Sequence, residues 1–349
     1  MIIKNLKNCL AKETDTIKSS FEKLEKSGKQ IIFVINSKKK LLGSMTDGDL
    51  RRAILNNYNL NDNIQSIYNK KAFTASKKIT EIQAKIIMQE KNINHLPLID
   101  NKNKIFGFYS KIFDKKKINK INCEFVLMAG GKGKRLRPLT NNCPKPMLKI
   151  SGKPIIETIL TRANKQGFLS FIISINYLGY KIENYFKDGK KFGFTVDYIK
   201  EKKPQGTIGS LGNIKSKLKA KYTIVCNGDL ISEINYLNLI KFHEYHKSSA
   251  TMVVSPYQIQ NPYGEVKTKN TRIISIREKP TYMSYINAGV YIFNTSMIKL
   301  IKKNQSLDAV TFFELLRKKN KKTLAFPIHE SWQDIGLKED FLKLKSLDF

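Results

Sequence analysis

Residues 127–140, Leu-Met-Ala-Gly-Gly-Lys-Gly-Lys-Arg-Leu-Arg-Pro-Leu-Thr, decide how this chain folds and what it binds. They continue a short apolar run, Phe125–Ala129, that is typical of a buried strand. Gly130, Gly131 and Gly133 allow backbone N–H groups to approach a ligand closely, and successive N–H groups in such a loop attract anions. Four basic side chains in the same stretch add positive charge. The loop therefore predicts a phosphate site, although it matches neither a Walker A loop nor the G-x-G-x-x-G pattern.

Beyond this loop, strand and helix patterns alternate along the chain. The predicted strands are Phe171–Asn176, Thr195–Lys200, Tyr222–Cys226 and Ala250–Ser255, and the predicted helices are Ile155–Lys165, Tyr180–Lys187, Leu211–Leu218 and Tyr236–His246. This alternation predicts βαβ units and a mostly parallel, doubly wound α/β sheet of Rossmann-like type. Ligands of such sheets bind at the carboxyl ends of the strands, so functional residues should follow strands.

The first 120 residues have a different pattern, a weak internal repeat of two small α-β-β-α units. Hairpins are predicted from Ile31–Ile35 with Leu41–Asp47 and from His95–Asp100 with Ile105–Ser110, because each pair of apolar runs flanks a polar turn. An amphipathic helix, Thr16–Lys26 or Ile79–Lys91, precedes each hairpin. The predicted domains are residues 1–118, divided into about 1–57 and 58–118, then a linker at 119–122, and a larger domain at 123–349.

Length and apolar patterning exclude an integral membrane protein. The chain has 349 residues, enough for two domains, and its longest apolar runs are about five residues, far short of the roughly 18 that span a bilayer. The first residues lack the apolar core of a secretory signal. The 4 cysteines form no C-x-x-C pair and lie near no histidine at zinc-ligand spacing. We therefore expect a cytoplasmic protein that is not associated with a membrane.

The formal net charge of +34 suggests nucleic acid as a partner. However, the basic residues are mostly lysines, they are spread over the whole chain, and no single basic stripe interleaved with aromatic residues is present. We therefore expect no nucleic-acid partner and a general attraction for small anions instead.

The loop, together with Pro144-Lys-Pro146, resembles the signature of the sugar-1-phosphate nucleotidyltransferases, and the resemblance extends over residues 123–349. These enzymes make a nucleotide sugar from a nucleoside triphosphate and a sugar 1-phosphate and release pyrophosphate. Further matching segments follow in the family's order: Glu201–Gly209, Asn227–Asp229, Asn261–Glu265, Glu278–Pro280, Asn287–Tyr291 and Trp332–Gly336. The resemblance implies a nucleotidyltransferase sheet and a nucleotide site formed by Leu127, Ala129, Gly130, Gly131, Gly133, Gln205, Gly206 and Thr207.

The same resemblance implies the remaining site residues. Arg135, Lys145 and Lys279 would be catalytic, Tyr263, Gly264, Glu278 and Asn287 would contact the sugar, and Asp229 and Asp334 would hold Mg²⁺. These residue types suit the chemistry, because two polyanions must meet and basic side chains reduce their repulsion. Mg²⁺ is a hard cation that prefers carboxylate and phosphate oxygens.

Within the first 118 residues, Gly43-Ser-Met-Thr-Asp47 resembles the end of a CBS domain, and the two units together resemble a CBS pair. The resemblance places Thr46 and Asp47 at the ligand positions, whereas Lys111 replaces the aspartate in the second unit. Such a pair would bind an adenine nucleotide and regulate its neighbour, or it would serve only for dimerisation, and both alternatives stay open. A homo-oligomer is expected.

A CBS pair followed by a short nucleotidyltransferase domain resembles bacterial enzymes that supply nonulosonic-acid and surface-glycan pathways. The likeness favours GTP and glucosamine 1-phosphate as substrates. UTP-, CTP- or dTTP-dependent transfer is the alternative, and a non-catalytic nucleotide sensor is a hypothesis of a different class.

Overall fold

The computed structural model describes residues 2–110 and 121–346, and the chain divides into two compact units, residues 1–118 and 119–349. Lys111 and residues 119–120 of the predicted linker lie outside the described residues. Among the described residues, no helix is both long enough and apolar enough to cross a membrane.

In the smaller unit, the same order of elements occurs twice: a short strand, a helix and a hairpin. Its strands are β1 (Ile2–Ile3), β2 (Leu10–Ala11), β3 (Ile31–Ile35), β4 (Leu41–Thr46), β5 (Ala75–Ser76), β6 (His95–Ile99) and β7 (Ile105–Ser110), and its helices are α1 (Ile17–Ser27), α2 (Asp47–Leu55) and α3 (Glu81–Glu90). β2 and β5 each pair in parallel with the first strand of the following hairpin, and both hairpins carry a bulge near the end of that strand. Thr16 and Thr80 cap α1 and α3 by accepting backbone N–H bonds, which explains where these helices begin.

In the larger unit, strands and helices alternate as predicted. Its strands are β8 (Cys123–Ala129), β9 (Lys149–Ile150), β10 (Lys153–Pro154), β11 (Ser170–Ile175), β12 (Thr195–Lys200), β13 (Tyr222–Asn227), β14 (Leu230–Ser232), β15 (Ala250–Gln260), β16 (Glu265–Lys269), β17 (Arg272–Arg277), β18 (Thr281–Asn294), β19 (Thr323–Pro327) and β20 (Trp332–Asp334). Its helices are α4 (Ile155–Lys165), α5 (Gly179–Phe186), α6 (Leu211–Ile214), α7 (Tyr236–Tyr245), α8 (Thr295–Ile298), α9 (Ala309–Lys318) and α10 (Lys338–Ser346).

Within residues 121–346, the main sheet has the strand order β12-β11-β8-β13-β18-β15-β19. It is mostly parallel, because only β18 runs antiparallel to its neighbours. After β8, the chain adds β11 and then β12 on one side of β8, and it then adds β13 on the other side. The strand order therefore reverses between β8 and β13, which is where open α/β sheets bind their ligands.

Alternation along the central strands gives the sheet an apolar core on each face. Phe125 and Leu127 of β8 belong to one core, and Val126 belongs to the other. Phe125 makes edge-to-face contacts with Phe168, Phe171 and Tyr236, at ring-centroid distances of 5.0 to 5.4 Å, a geometry that adds to its burial. β8 is thus fixed from both sides, and the loop after it emerges at a defined position.

Two elements differ from the predicted ones by more than two residues at one end. Helix α6 ends at Ile214 rather than at Leu218, because the chain turns there and Lys215 donates hydrogen bonds to the carbonyls of Lys299 and Ile301. β15 runs to Gln260 rather than to Ser255, because it continues as a pair with β18 until Gln260 lies opposite Thr281. Beyond this extension, β16 and β17 form an exposed two-stranded ribbon.

Candidate active site

A cleft of about 390 Å³ opens at the carboxyl ends of β8, β12 and β13 in the larger unit. Its lining includes the glycine-rich loop after β8, a proline-flanked lysine, the turn after β12 and the end of β13. The lining residues are Met128, Ala129, Gly130, Gly131, Gly133, Lys134, Arg135, Leu136, Lys145, Pro146, Glu201, Pro204, Gln205, Gly206, Thr207, Asn227, Gly228, Asp229, Asp308 and Gly336. The cleft therefore lies at the point where the strand order of the sheet reverses.

The glycine-rich loop is held in a tight turn that requires glycine at position 133. Gly133 has a φ of +59°, and a Cβ added there would lie 2.9 Å from Thr140. The Thr140 hydroxyl donates a 2.8 Å hydrogen bond to the Gly133 carbonyl, and the buried side chain of Leu136 fixes the following turn in the core. This packing holds the backbone of the loop against the cleft, where its N–H groups can meet an anion.

At one end of the cleft, Lys145 contacts two carboxylates from distant parts of the chain. Its Nζ donates a hydrogen bond to Asp229 Oδ2 and lies 3.7 Å from Asp334 Oδ1. The lysine side chain is only 9% exposed, which strengthens these charge interactions. Pro144 and Pro146 restrict the backbone on both sides of the lysine, so the backbone from which its side chain extends is defined before any ligand binds.

Asp334 reaches this end through the pairing of β20 with β14. In that antiparallel pair Asp334 lies opposite Leu230, which directly follows Asp229. Burial raises the pKa of Asp334 and the charge of Asp229 raises it further, while Lys145 and Arg135 oppose the shift. A Cβ added to Gly336 would lie 3.6 Å from Arg135 Nη1, so Arg135 belongs to the same end of the cleft.

The donor atoms at this end fit a hard divalent cation. Asp229 and Asp334 provide carboxylate oxygens, and their mutual repulsion would be relieved by a cation. Asn227, at the end of β13, lines the cleft, and its Oδ1 is buried without a hydrogen-bond partner among the described residues. A buried acceptor without a donor is costly, and a metal ion or a ligand donor would satisfy it.

The other end of the cleft is formed by the turn after β12, and hydrogen bonds between neutral and acidic groups stabilise it. Glu201 accepts hydrogen bonds from the Ser174 hydroxyl (2.7 Å) and from the Gln205 backbone N–H (3.1 Å). Asn213 donates a 2.9 Å bond to the side-chain oxygen of Gln205. The Gln205 side chain therefore has a defined orientation, with its NH₂ group remaining as a donor.

Asp308 joins this second end from a segment about one hundred residues downstream. Its Oδ1 accepts a 3.2 Å hydrogen bond from the Thr207 backbone N–H, while the Thr207 hydroxyl accepts a 2.8 Å bond from the N–H of Ala309. Gly206 has a φ of +74°, and a Cβ there would lie 2.7 Å from Asp308 Oδ1. The close approach of the two segments therefore depends on glycine.

The structure brings most of the predicted nucleotide, catalytic and metal residues together at this cleft. Those that line it or contact a lining residue are Ala129, Gly130, Gly131, Gly133, Arg135, Lys145, Gln205, Gly206, Thr207, Asp229 and Asp334. Leu127 does not line the cleft, because it lies two residues before Ala129 in β8 and is buried in the core.

The predicted sugar residues fall into two groups. Asn287 accepts a 2.9 Å bond from the N–H of Gly289, and a Cβ on Gly289 would lie 2.7 Å from Asn227 Nδ2, so Asn287 lies near the cleft. The others, namely Tyr263, Gly264 and Glu278, flank the exposed β16–β17 ribbon and do not line the cleft. Lys279, which is predicted to be catalytic, also lies beside this ribbon and outside the cleft lining. Gly264 and Glu278 adjoin each other there.

In the smaller unit, Thr46 and Asp47 interact with their own helix. The N–H and hydroxyl of Thr46 both donate to Asp49 Oδ2, at 2.8 and 2.7 Å. Asp47 accepts a 2.7 Å bond from Arg51 Nε, four residues along α2. Both side chains are therefore satisfied locally.

Asn227 and Asp308 are among the cleft residues that sequence reasoning did not assign to the site. Asn227 stands inside the Asn-Gly-Asp segment that marked Asp229, so its position directly after a strand was a usable signal. Asp308 precedes helix α9 and has the pattern of an ordinary helix cap. No feature of the sequence connects it with Thr207, because only the folded chain brings the two together.

The nucleotidyl transferase family model matches residues 124–348. Over 225 residues the chain is 32% identical to the mannose-1-phosphate guanylyltransferase of Mycobacterium tuberculosis, a match that spans 62% of each protein. It is 33% identical to the D-glycero-alpha-D-manno-heptose 1-phosphate guanylyltransferase of Aneurinibacillus thermoaerophilus, covering 63% of this chain and 96% of that one. It is 30% identical to the UTP–glucose-1-phosphate uridylyltransferase of Synechocystis, covering 62% and 61% respectively.

Among solved structures, the chain is similar to HddC from Yersinia pseudotuberculosis in complex with GMP-PN. The TM-score is 0.51 with 27% identity, and the match covers 64% of this chain and 98% of HddC. The similarity therefore concerns the α/β unit and not the whole chain.

Proposed function

The chain belongs to the nucleotidyl transferase family, a family of enzymes, and from this membership we propose that it transfers a nucleotidyl group to a sugar 1-phosphate. An oxygen of the sugar phosphate would attack the α-phosphorus of a nucleoside triphosphate, and the bond to the leaving pyrophosphate would break. Such a reaction needs positioning and charge stabilisation, and it needs no protein nucleophile.

The observation that carries this proposal is the cluster of Lys145, Asp229 and Asp334. Three segments far apart in sequence supply a buried ammonium group and two carboxylates beside the glycine-rich loop. A purely structural ion pair needs one carboxylate, whereas a second carboxylate nearby raises the repulsion. The arrangement is better suited to a site in which a cation and a polyphosphate take up these charges.

Each residue then has a role that follows from its chemistry. Asp229 and Asp334 would hold Mg²⁺, with Asn227 as a further oxygen donor. The bound ion would supply charge neutralisation at the phosphate oxygens. Arg135 and the N–H groups of the glycine-rich loop would bind the triphosphate, and Lys145 would move from the carboxylates to a phosphate. The sugar phosphate would be bound by Lys279, Tyr263, Gly264, Glu278 and Asn287. Except for Asn287, these residues flank the β16–β17 ribbon, so the ribbon would have to move toward the cleft for them to reach the sugar.

For the substrates, we propose GTP and glucosamine 1-phosphate, with GDP-glucosamine as the product for surface-glycan synthesis. Two of the relatives described above are named guanylyltransferases, which supports GTP. The Synechocystis relative is named a uridylyltransferase, so UTP is the second candidate. Nucleoside triphosphates are cytoplasmic metabolites, and we propose the same location for the reaction.

The test is pyrophosphate release by the full chain with Mg²⁺, measured for GTP, ATP, UTP, CTP and dTTP against the 1-phosphates of glucose, glucosamine, N-acetylglucosamine and mannose. We expect turnover with GTP and glucosamine 1-phosphate. Asp197→Asn, which removes an exposed carboxylate outside the cleft, is the matched control for Asp229→Asn. Nucleotide binding without turnover across the whole grid would favour the nucleotide sensor.

For residues 1–118, we propose a CBS pair that regulates or dimerises the enzyme. The repeated order of strand, helix and hairpin supports this proposal. If the pair binds an adenine nucleotide through Thr46 and Asp47, AMP should bind the full chain, and Thr46→Ala should weaken that binding. Asp47 already bonds Arg51, which favours the alternative that the pair only dimerises. Equal AMP affinities of the unmodified chain and Thr46→Ala, or no AMP binding, would support dimerisation, which sedimentation of the full chain would measure.

A further inference from the structure

The two ends of the cleft differ in charge. Arg135, Lys145, Asp229 and Asp334 meet at the first end, which suits phosphates and a cation. At the second end, the described lining residues are Glu201, Pro204, Gln205, Gly206, Thr207 and Asp308, and none of them is basic. A nucleoside triphosphate that places its phosphates at the first end and along the glycine-rich loop therefore places its base at the second.

Asp308 presents a carboxylate to that second end. One oxygen, Oδ1, accepts the Thr207 N–H, whereas Oδ2 has no hydrogen-bond partner in the part of the chain that the structure describes. Asp308 is exposed at the mouth of the cleft and lies beside Gly206. The bond to Thr207 orients the carboxylate, so Oδ2 and the second lone pair of Oδ1 form two hydrogen-bond acceptors in fixed positions.

Gln205 supplies the complementary group. Its side-chain oxygen is occupied by Asn213, and the backbone N–H of Leu307 donates a 2.9 Å bond to the Gln205 carbonyl. The Gln205 side chain is 7% exposed and lines the cleft. The second end therefore offers one amide donor next to a carboxylate acceptor.

We propose, on the basis of the function proposed above, that Asp308 selects guanine as the base of the nucleotide. The Watson–Crick edge of guanine presents an acceptor (O6) followed by two donors (N1–H and the 2-amino group). Gln205 would donate to O6, and the Asp308 carboxylate would accept from both donors. Uracil and thymine place a carbonyl where guanine has its 2-amino group, so they would meet the carboxylate with like polarity, and adenine and cytosine lack the two adjacent donors.

The experiment measures binding of GTP, inosine triphosphate, xanthosine triphosphate and UTP to the full chain by calorimetry, with Mg²⁺ and without sugar phosphate, so that no turnover occurs. Inosine triphosphate lacks only the 2-amino group, and we expect it to bind about tenfold more weakly than GTP. Asp308→Asn keeps an oxygen for Thr207 but replaces an acceptor by a donor. We expect this variant to lose about 10- to 100-fold in GTP affinity and to gain affinity for xanthosine triphosphate, whose 2-oxo group accepts the new bond.

Asp197→Asn is the control, and we expect it to keep the base preference of the natural chain. Equal affinities of the natural chain for GTP and inosine triphosphate would overturn the inference, and this comparison requires no variant to fold. A GTP preference that survives in Asp308→Asn would also overturn it, because the base would then be recognised elsewhere. Failure of the natural chain to bind any of the four nucleotides would instead overturn the proposed function.

Discussion

Two aspartates in this molecule lie just beyond the end of a strand, Asp47 directly after β4 and Asp229 two residues after β13, yet their surroundings differ. In the smaller unit, Asp47 bonds Arg51 of the same helix. In the larger unit, Asp229 bonds Lys145, which lies 84 residues earlier in the chain. The first pair belongs to a single turn of helix and forms whenever that helix forms. The second pair forms only when the whole α/β unit has folded.

This difference indicates which charges are available for chemistry. Asp47 bonds Arg51 Nε, and Arg51 also lies over the Phe21 ring, 5.5 Å from its centroid. Asp229 shares its lysine with Asp334, so two carboxylates compete for one ammonium group at the mouth of a cleft. A ligand cation can replace the lysine there if a ligand phosphate takes up the freed ammonium group, whereas a ligand at Asp47 would have to displace a partner four residues away.

The largest expected effect is on catalysis. Asp229→Asn and Asp334→Asn should each lower Mg²⁺-dependent pyrophosphate release by about 10³-fold or more, because each removes charge that would hold the metal at the reacting phosphates. Asp47→Asn and Asp197→Asn should leave the turnover within about threefold of the natural chain, provided that AMP is absent. Full activity in both Asp229→Asn and Asp334→Asn would contradict the metal assignment.

A second effect compares the buried histidines of the two units. Burial lowers the pKa of both His95 and His243 to about 4. An unfolded histidine binds a proton below about pH 6.5, so each site should lose about 3 kcal/mol of stability as the pH falls from 6.5 to 4, and none above 6.5. Denaturant titrations at several pH values would measure this. His243→Asn should flatten the dependence, and a slope of undiminished size in that variant would contradict the assignment.

The next effect concerns stability of the smaller unit. Asp47→Ala should lower its free energy of unfolding by about 2 kcal/mol, because Arg51 is 1% exposed and would lose a charged partner. The neighbouring pair of Arg52 and Asp49 is the control, since the Arg52 side chain is 59% exposed. Arg52→Ala should cost less than about 1 kcal/mol. Equal losses of unfolding free energy in Asp47→Ala and Arg52→Ala would show that burial of the Arg51–Asp47 pair does not increase its contribution to stability.

The smallest effect tests the competition at Lys145. Lys145→Met should tighten binding of Mn²⁺ to the nucleotide-free protein by about tenfold, because the ammonium group then no longer neutralises Asp229 and Asp334. Paramagnetic resonance of free Mn²⁺ would measure the affinity, with the exposed Lys149→Met as a control. Weaker Mn²⁺ binding in Lys145→Met would mean that the lysine supports the metal site and does not compete with it.

Much of the larger unit follows from local patterns. The helix at Ile155–Lys165 and the strand at Thr195–Lys200 have the bounds that the sequence predicts, because an apolar stripe or a short apolar run is enough to define each. The end of α6 and the extension of β15 could not be predicted. The first depends on contacts of Lys215 with a segment 84 residues away, and the second depends on a partner strand.

The candidate site divides in the same way. The loop around Gly133 and the proline-flanked Lys145 are visible in the sequence, because backbone conformation is encoded locally by glycine and proline. Tertiary structure decides three other arrangements. Asp334 lies near Asp229, the buried Oδ1 of Asn227 has no hydrogen-bond partner among the described residues, and the N–H of Thr207 orients Asp308. The residues involved belong to segments that are far apart in the sequence, and sequence separation does not tell which segments meet in space. The pairing of β14 with β20 brings Asp334 to Asp229, and the packing of α9 against the turn after β12 brings Asp308 to Thr207.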